Sequence, residues 1–174
     1  MQRKNLAWHF VGDKLRDGSP IPRDGVWLKY DGPLVLCKSG LHASLEPFDA
    51  LHYAPGNTLC RVEMRGETLH QSDKLVAQER RIIARMDATE MLRYYARMQA
   101  LSVVHLWDAP DIVLDYLMTG DETIRAYAAA TYAARAADAY TAAYAARAAA
   151  YAAAADAARA EFNALVLECF EGVL

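Results

Sequence analysis

Between Gly120 and Gly172 the sequence contains neither glycine nor proline, the two residues that most readily end a helix. Nineteen of the thirty residues from 131 to 160 are alanine, the residue with the highest helix propensity. Thr119 with Glu122 reads as a capping box at the start of this stretch. A helix of about 50 residues would be roughly 75 Å long, more than a compact domain spans. The tract is therefore expected either to break or to extend and self-associate. On a 100° wheel Tyr140, Tyr144 and Tyr151 fall within about 40° of one another, with Arg147 on their flank. These four residues form a candidate interaction seam, suited to a homo-oligomer contact or to stacking on a base. Arg135, Arg147 and Arg159 recur every twelve residues, a step of about 120° on the wheel, so they line no common groove.

The other end of the chain is punctuated, with seven of the nine glycines and five of the six prolines in the first 66 residues. Alternation marks strands in VWLKY (26–30) and TLCRVEM (58–64), where Cys60, Val62 and Met64 face a core. AWHFV (7–11), PLVLC (33–37) and RIIARM (81–86) are further strand candidates. A short helix is expected from Pro47 to Tyr53, stopped by Pro55-Gly56. Asp87 with Glu90 starts a second helix, along which Met91, Tyr95, Met98 and Leu101 recur at helical spacing. Asp108-Ala109-Pro110 starts a third, which ends near Gly120. The fold class is α+β: a small, mostly antiparallel β-rich N-terminal domain followed by helices, the last long and alanine-rich. The expected boundaries are 1–86, 87–120 and 121–174.

A net charge of −3 argues against general nucleic-acid binding, although residues 1–86 carry 13 basic against 10 acidic side chains and residues 87–174 carry 6 against 12. Three cysteines without a CxxC pair favour a reducing, cytoplasmic setting. The N-terminus lacks the apolar core of a signal peptide. The uncharged runs of the alanine tract are too short for a span of about 20 apolar residues, so no membrane is expected.

Chemistry concentrates in LCKSGLHASLEPFDALHYAPG, residues 36–56, a turn-rich island that carries Ser39, His42, Ser44, His52 and Tyr53. With His9 of WHFVG these are the candidate ligand-binding residues. Cys37, His42, His52 and Cys60 have the ligand types of a zinc set, but intervals of 5, 10 and 8 fit no common knuckle, and no metal is expected. In His105-Leu106-Trp107-Asp108 the indole closes a core and the carboxylate caps a helix. Neither GxxxxGK[ST] nor a strand-linked GxGxxG is present.

CKSGLHAS, EPFDALHYAPG, LCRVEMRGE, DKLVAQERRI, DATEMLR and ALSVVHLWDAP, spanning about residues 7–120, resemble a family of phage and prophage domains of unknown function. Members often continue into alanine-rich repeats with interspersed aromatic and arginine residues. That resemblance implies a protein acting in the host cytoplasm, and counter-defence by sequestering a small nucleotide signal or a host protein. WHFVG, SGLHAS with ALHYA, and TLCRVEMRG also follow the order of the ADP-ribosyltransferase core. That likeness places His9 and Tyr53 near a nicotinamide pocket with Ser44 beside them. It puts His42 where an aromatic is usual, and leaves the catalytic glutamate unassigned between Glu63 and Glu79. The leading expectation is a non-enzymatic phage-type binding protein with no cofactor. An NAD-using ADP-ribosyltransferase-like enzyme and an oligomerisation module are the alternatives.

Overall fold

The computed structural model describes residues 5–106 and 108–171, without the side chains of 131–155. An antiparallel sheet is followed by helices, which makes the fold α+β. The strands are β1 (Asn5–Val11), β2 (Trp27–Lys29), β3 (Leu41–Ala43), β4 (Thr58–His70) and β5 (Leu75–Asp87). The helices are α1 (Pro47–Leu51), α2 (Thr89–Ser102), α3 (Asp111–Thr119) and α4 (Glu122–Glu171), with a 3-10 turn at Val104–Leu106. Among the described residues no helix is long and apolar enough to cross a membrane.

Residues 5–89 with 162–171 form one compact unit. Its frame is the β4–β5 hairpin, turned by Ser72-Asp73 with the Gln71 amide bonded to the Lys74 carbonyl at 2.8 Å. The pairing slips between Arg61 and Val62 and again between Arg65 and Thr68. Gly66, at φ 81°, allows the second irregularity, where a Cβ would lie 2.9 Å from Gln78 Oε1. That Gln78 oxygen accepts the Glu67 amide at 3.0 Å, so the bulge leaves this donor satisfied. Past the bend, β3 pairs with β5 through Leu41–Ala77 and Ala43–Leu75. Ser44 then exchanges backbone hydrogen bonds with Trp8 of β1, at 2.7 and 2.9 Å. The path β1-β4-β5-β3 thereby returns to β1 and closes a small barrel-like sheet.

Strand alternation divides the side chains between two faces. Ala7, Val11, Ala43, Cys60, Val62, Met64, Leu75, Ala77 and Ile82 form the interior core, with Ile21 packed on it. Trp8, Phe10 and Leu59 point the other way and are buried. Trp8 meets Phe170 edge-on at 4.9 Å, and Phe48 of α1 meets Phe162 at 5.8 Å. Asn163 accepts the Phe48 amide at 2.9 Å and donates to Glu46 at 3.0 Å, which satisfies the start of α1. Further out on the sheet the charges are matched: Arg81 pairs with Glu63 at 2.6 Å, Arg65 pairs with Glu79, and both arginines lie over the Trp27 ring.

Residues 90–161 form the second unit. Val113, Leu117 and Ala128 make its core, with Ala100, Leu101, Val104, Ile112 and Tyr116 packed on them. Tyr95 donates to the Ala158 carbonyl at 3.0 Å and Gln99 to Glu161 at 2.9 Å, fixing α2 to α4.

Three expectations need correction. Residues 33–37 form no strand; Val35 and Ser39 close a tight turn with Cys37 at φ 66°. Proline punctuation and a left-handed residue prevail there over apolar content. At α3 the N-cap is Pro110, with no side-chain cap bond, instead of a helix capped by Asp108. At α4 Asp121 caps, accepting the Thr123 amide at 2.8 Å, while Thr119 Oγ1 donates to the Asp115 carbonyl within α3. Thr119 Oγ1 also accepts the Asp121 amide at 3.2 Å, but the left-handed Gly120 stands between Thr119 and α4, so the cap of the first turn falls to Asp121.

Candidate functional site

Consecutive residues Glu79, Arg80 and Arg81 on β5 alternate between outer face, interior and outer face. Arg80 pairs with Met64 and stands in phase with Ile82, so its side chain enters the barrel interior. It is 6% exposed. Its guanidinium donates Nη1 to the His42 carbonyl, and no carboxylate pairs with it among the described residues. Cys60 also acts on it electrostatically, but burial pushes that thiol up to about 11, so it is neutral at pH 7. Asp24, which acts on Cys60, is taken by Arg85. Burial lowers the Arg80 pKa to about 10, leaving a cation in the interior without a counter-charge. Such burial carries a desolvation cost of several kcal/mol, roughly, after relaxation.

His9 lies between Ala7 and Val11 on the same face, paired with Cys60. Burial first, then Arg80 and His42, hold its pKa well below 6.5, so the ring is neutral. His42 has both ring nitrogens bonded to its own loop: Nε2 accepts the Cys37 amide at 3.0 Å and Nδ1 donates to the Gly40 carbonyl at 3.2 Å. Burial lowers its pKa, and Arg80, Arg16 and Lys74 add to the shift.

A second cluster sits at the hairpin tip. Tyr53 donates to Asp73 and accepts from Lys74 at 2.8 Å, and the ammonium lies 4.6 Å from the tyrosine ring centroid. Hydrogen bonds with Tyr53 and then Cys37 hold the Lys74 pKa above its ordinary range. The other oxygen of Asp73, Oδ1, is buried without a partner. Arg80 therefore bonds the His42 carbonyl and acts electrostatically on both imidazoles, while the Tyr53 hydroxyl links Asp73 to Lys74.

The remaining candidates stand apart. Ser39 donates to the Pro33 carbonyl at 2.6 Å, Ser44 is buried where the sheet closes, and His52 bonds the Phe48 carbonyl at 3.1 Å. The side chains of Tyr140, Tyr144, Arg147 and Tyr151 lie outside the described residues. Among the described residues no group of three or more His, Cys, Asp or Glu is placed to hold a metal ion. Arg80, Arg16, Asp73 and Lys74 were missed from sequence. The parity of Arg80 with Ile82 was the available signal, whereas the other three depend on loop closure.

A family match covers the sheet and the start of α2: residues 6–94, just over half of the 174, match the domain of unknown function DUF7666. The chain belongs to that family. The DUF7666 match ends short of the residue-120 limit suggested by the sequence motifs and contains all six candidate binding residues, along with Arg80 and Lys74. No curated protein and no solved structure gives a match.

Proposed function

We propose that this DUF7666 chain is a phage-type binding protein that acts on a host component in the cytoplasm without catalysis, by sequestering a small nucleotide signal or a host protein. One observation carries the reading. His42, the imidazole best placed among the polar groups of residues 36–56, spends both nitrogens on the backbone of its own loop. A general base needs a nitrogen free to reach the substrate proton. Here the ring instead shapes a turn beside Lys74 and the half-exposed Tyr53, an arrangement suited to recognition.

The test combines melting temperature with label transfer. NAD and a panel of cyclic dinucleotides are added to the full chain, and radiolabelled NAD is followed in parallel. A bound nucleotide is expected to raise the melting temperature by mass action, by about 2.7 kcal/mol of stability at one hundred times its dissociation constant. No label should leave NAD. Transfer that disappears in His9→Ala or Tyr53→Ala would overturn the reading in favour of an ADP-ribosyltransferase-like enzyme.

A further inference from the structure

We infer that the interior guanidinium of Arg80 is the seat for the phosphate group of a small phosphorylated ligand. This inference rests on the binding-protein reading and names the chemistry that the ligand would present.

The argument begins with unused donors. Arg80 has five N–H groups in a planar fork, and the one hydrogen bond found for it among the described residues is from Nη1 to the His42 carbonyl. The Nε and Nη2 edge is left, the geometry that grips two oxygens of a phosphate at once. Asp73 Oδ1 is the one fully buried side-chain polar atom without a partner among the described residues, so the unpartnered nitrogens of Arg80 keep contact with solvent. The seat is thus largely desolvated, with its unpartnered edge not wholly sealed from solvent. By contrast, Arg65, Arg81 and Arg85 each meet a carboxylate. Arg80 is nine-tenths buried and meets none, although its neighbour Glu79 is on the same strand and faces outward to Arg65.

The surroundings favour an anion over a neutral group. Arg16 and Lys74 add positive charge about His42, the residue whose carbonyl holds Arg80. His9 places a neutral ring on the same interior face. A phosphate, able to carry two charges and to accept from several donors, matches a site where Arg80, Arg16 and Lys74 bring three positive charges and Asp73, beside Lys74, brings one negative charge.

The experiment is calorimetric titration of the full chain with inorganic phosphate, AMP and adenosine, on wild type, Arg80→Met and Arg80→Lys. Phosphate and AMP are expected to bind wild type, with adenosine at least tenfold weaker than AMP. Arg80→Met should weaken AMP at least tenfold while melting cooperatively at the wild-type temperature or above, because removing an uncompensated interior charge relieves the fold. Arg80→Lys, which keeps the charge and loses the fork, should fall between. Unchanged AMP affinity in a folded Arg80→Met protein overturns the seat and leaves the binding reading standing. Failure of all phosphate compounds to bind wild type also overturns it, leaving a host protein as the partner. Label transfer from NAD is the separate result that defeats the binding reading, whatever Arg80 does.

Discussion

At the scale of single residues, the half-buried base His9 links charge to stability. Its folded pKa lies well below 6.5, so the native state resists a proton that the unfolded chain accepts. The sign follows from linkage: stability is complete above about 6.5 and falls as the pH drops below it, at a limiting slope of about 1.4 kcal/mol per pH unit. Below the folded pKa the loss stops. His42 shifts in the same direction and adds to the slope. The depressed carboxylates Asp17, Asp73 and Asp121 act only below 3.8, outside this window. Urea unfolding between pH 7.5 and pH 5 should show a declining free energy for wild type and a flatter profile for His9→Gln. Identical profiles would mean that His9 titrates as it does in water. This histidine was legible in sequence as a strand residue, because WHFV alternates. Arg80, which acts on it electrostatically, was signalled only by its parity with Ile82, against the rule that a charge in a strand faces solvent, as Arg81 does here.

At the scale of elements, caps and turns separate what was legible from what was not. β1, the core phase of Cys60, Val62 and Met64, the short helix after Glu46 and the stop at Gly120 all follow from local chemistry. β3 and the β4–β5 turn do not. Leu41–Ala43 is too short to show a period, and Ser72-Asp73 has no glycine to signal a hairpin. Both are imposed by long-range pairing. The start of α1 is a further case, because Glu46 makes no side-chain cap bond and the Phe48 amide is satisfied by Asn163, more than a hundred residues away. Asn163→Ala should therefore behave as loss of a cap, lowering stability by about 1 kcal/mol. That corresponds to a drop in melting temperature of about 2–4 °C for a chain of this size. Amide exchange at Phe48 should accelerate in the variant. Unaltered exchange there would assign the Asn163 contact no role in holding α1.

At the scale of the whole molecule, the DUF7666 match at residues 6–94 stops well before the side chains that complete its core. Phe162, Val166 and Phe170 recur every four residues on α4 and are all fully buried, with Phe170 against Trp8 and Phe162 against Phe48. Fully burying a phenylalanine contributes enough that its truncation to alanine costs about 3–5 kcal/mol. A chain cut at Gly120 to remove the alanine tract would remove these residues too, so its altered mass would report a bared sheet as readily as a lost assembly contact. The tyrosine seam is better tested by changing Tyr140, Tyr144 and Tyr151 to alanine in the full chain, which keeps helix propensity and residues 162–171. The role of those last residues is open to a direct trial. A chain of residues 1–120 is expected to bind a hydrophobic dye and melt without a sharp transition. Adding a peptide of residues 156–174 in excess should restore cooperative melting, with a temperature that rises with peptide concentration. The same peptide with Phe162→Ala and Phe170→Ala should not. Sharp, peptide-independent melting of the 1–120 chain would show that the sheet holds its Trp8 face without the last helix.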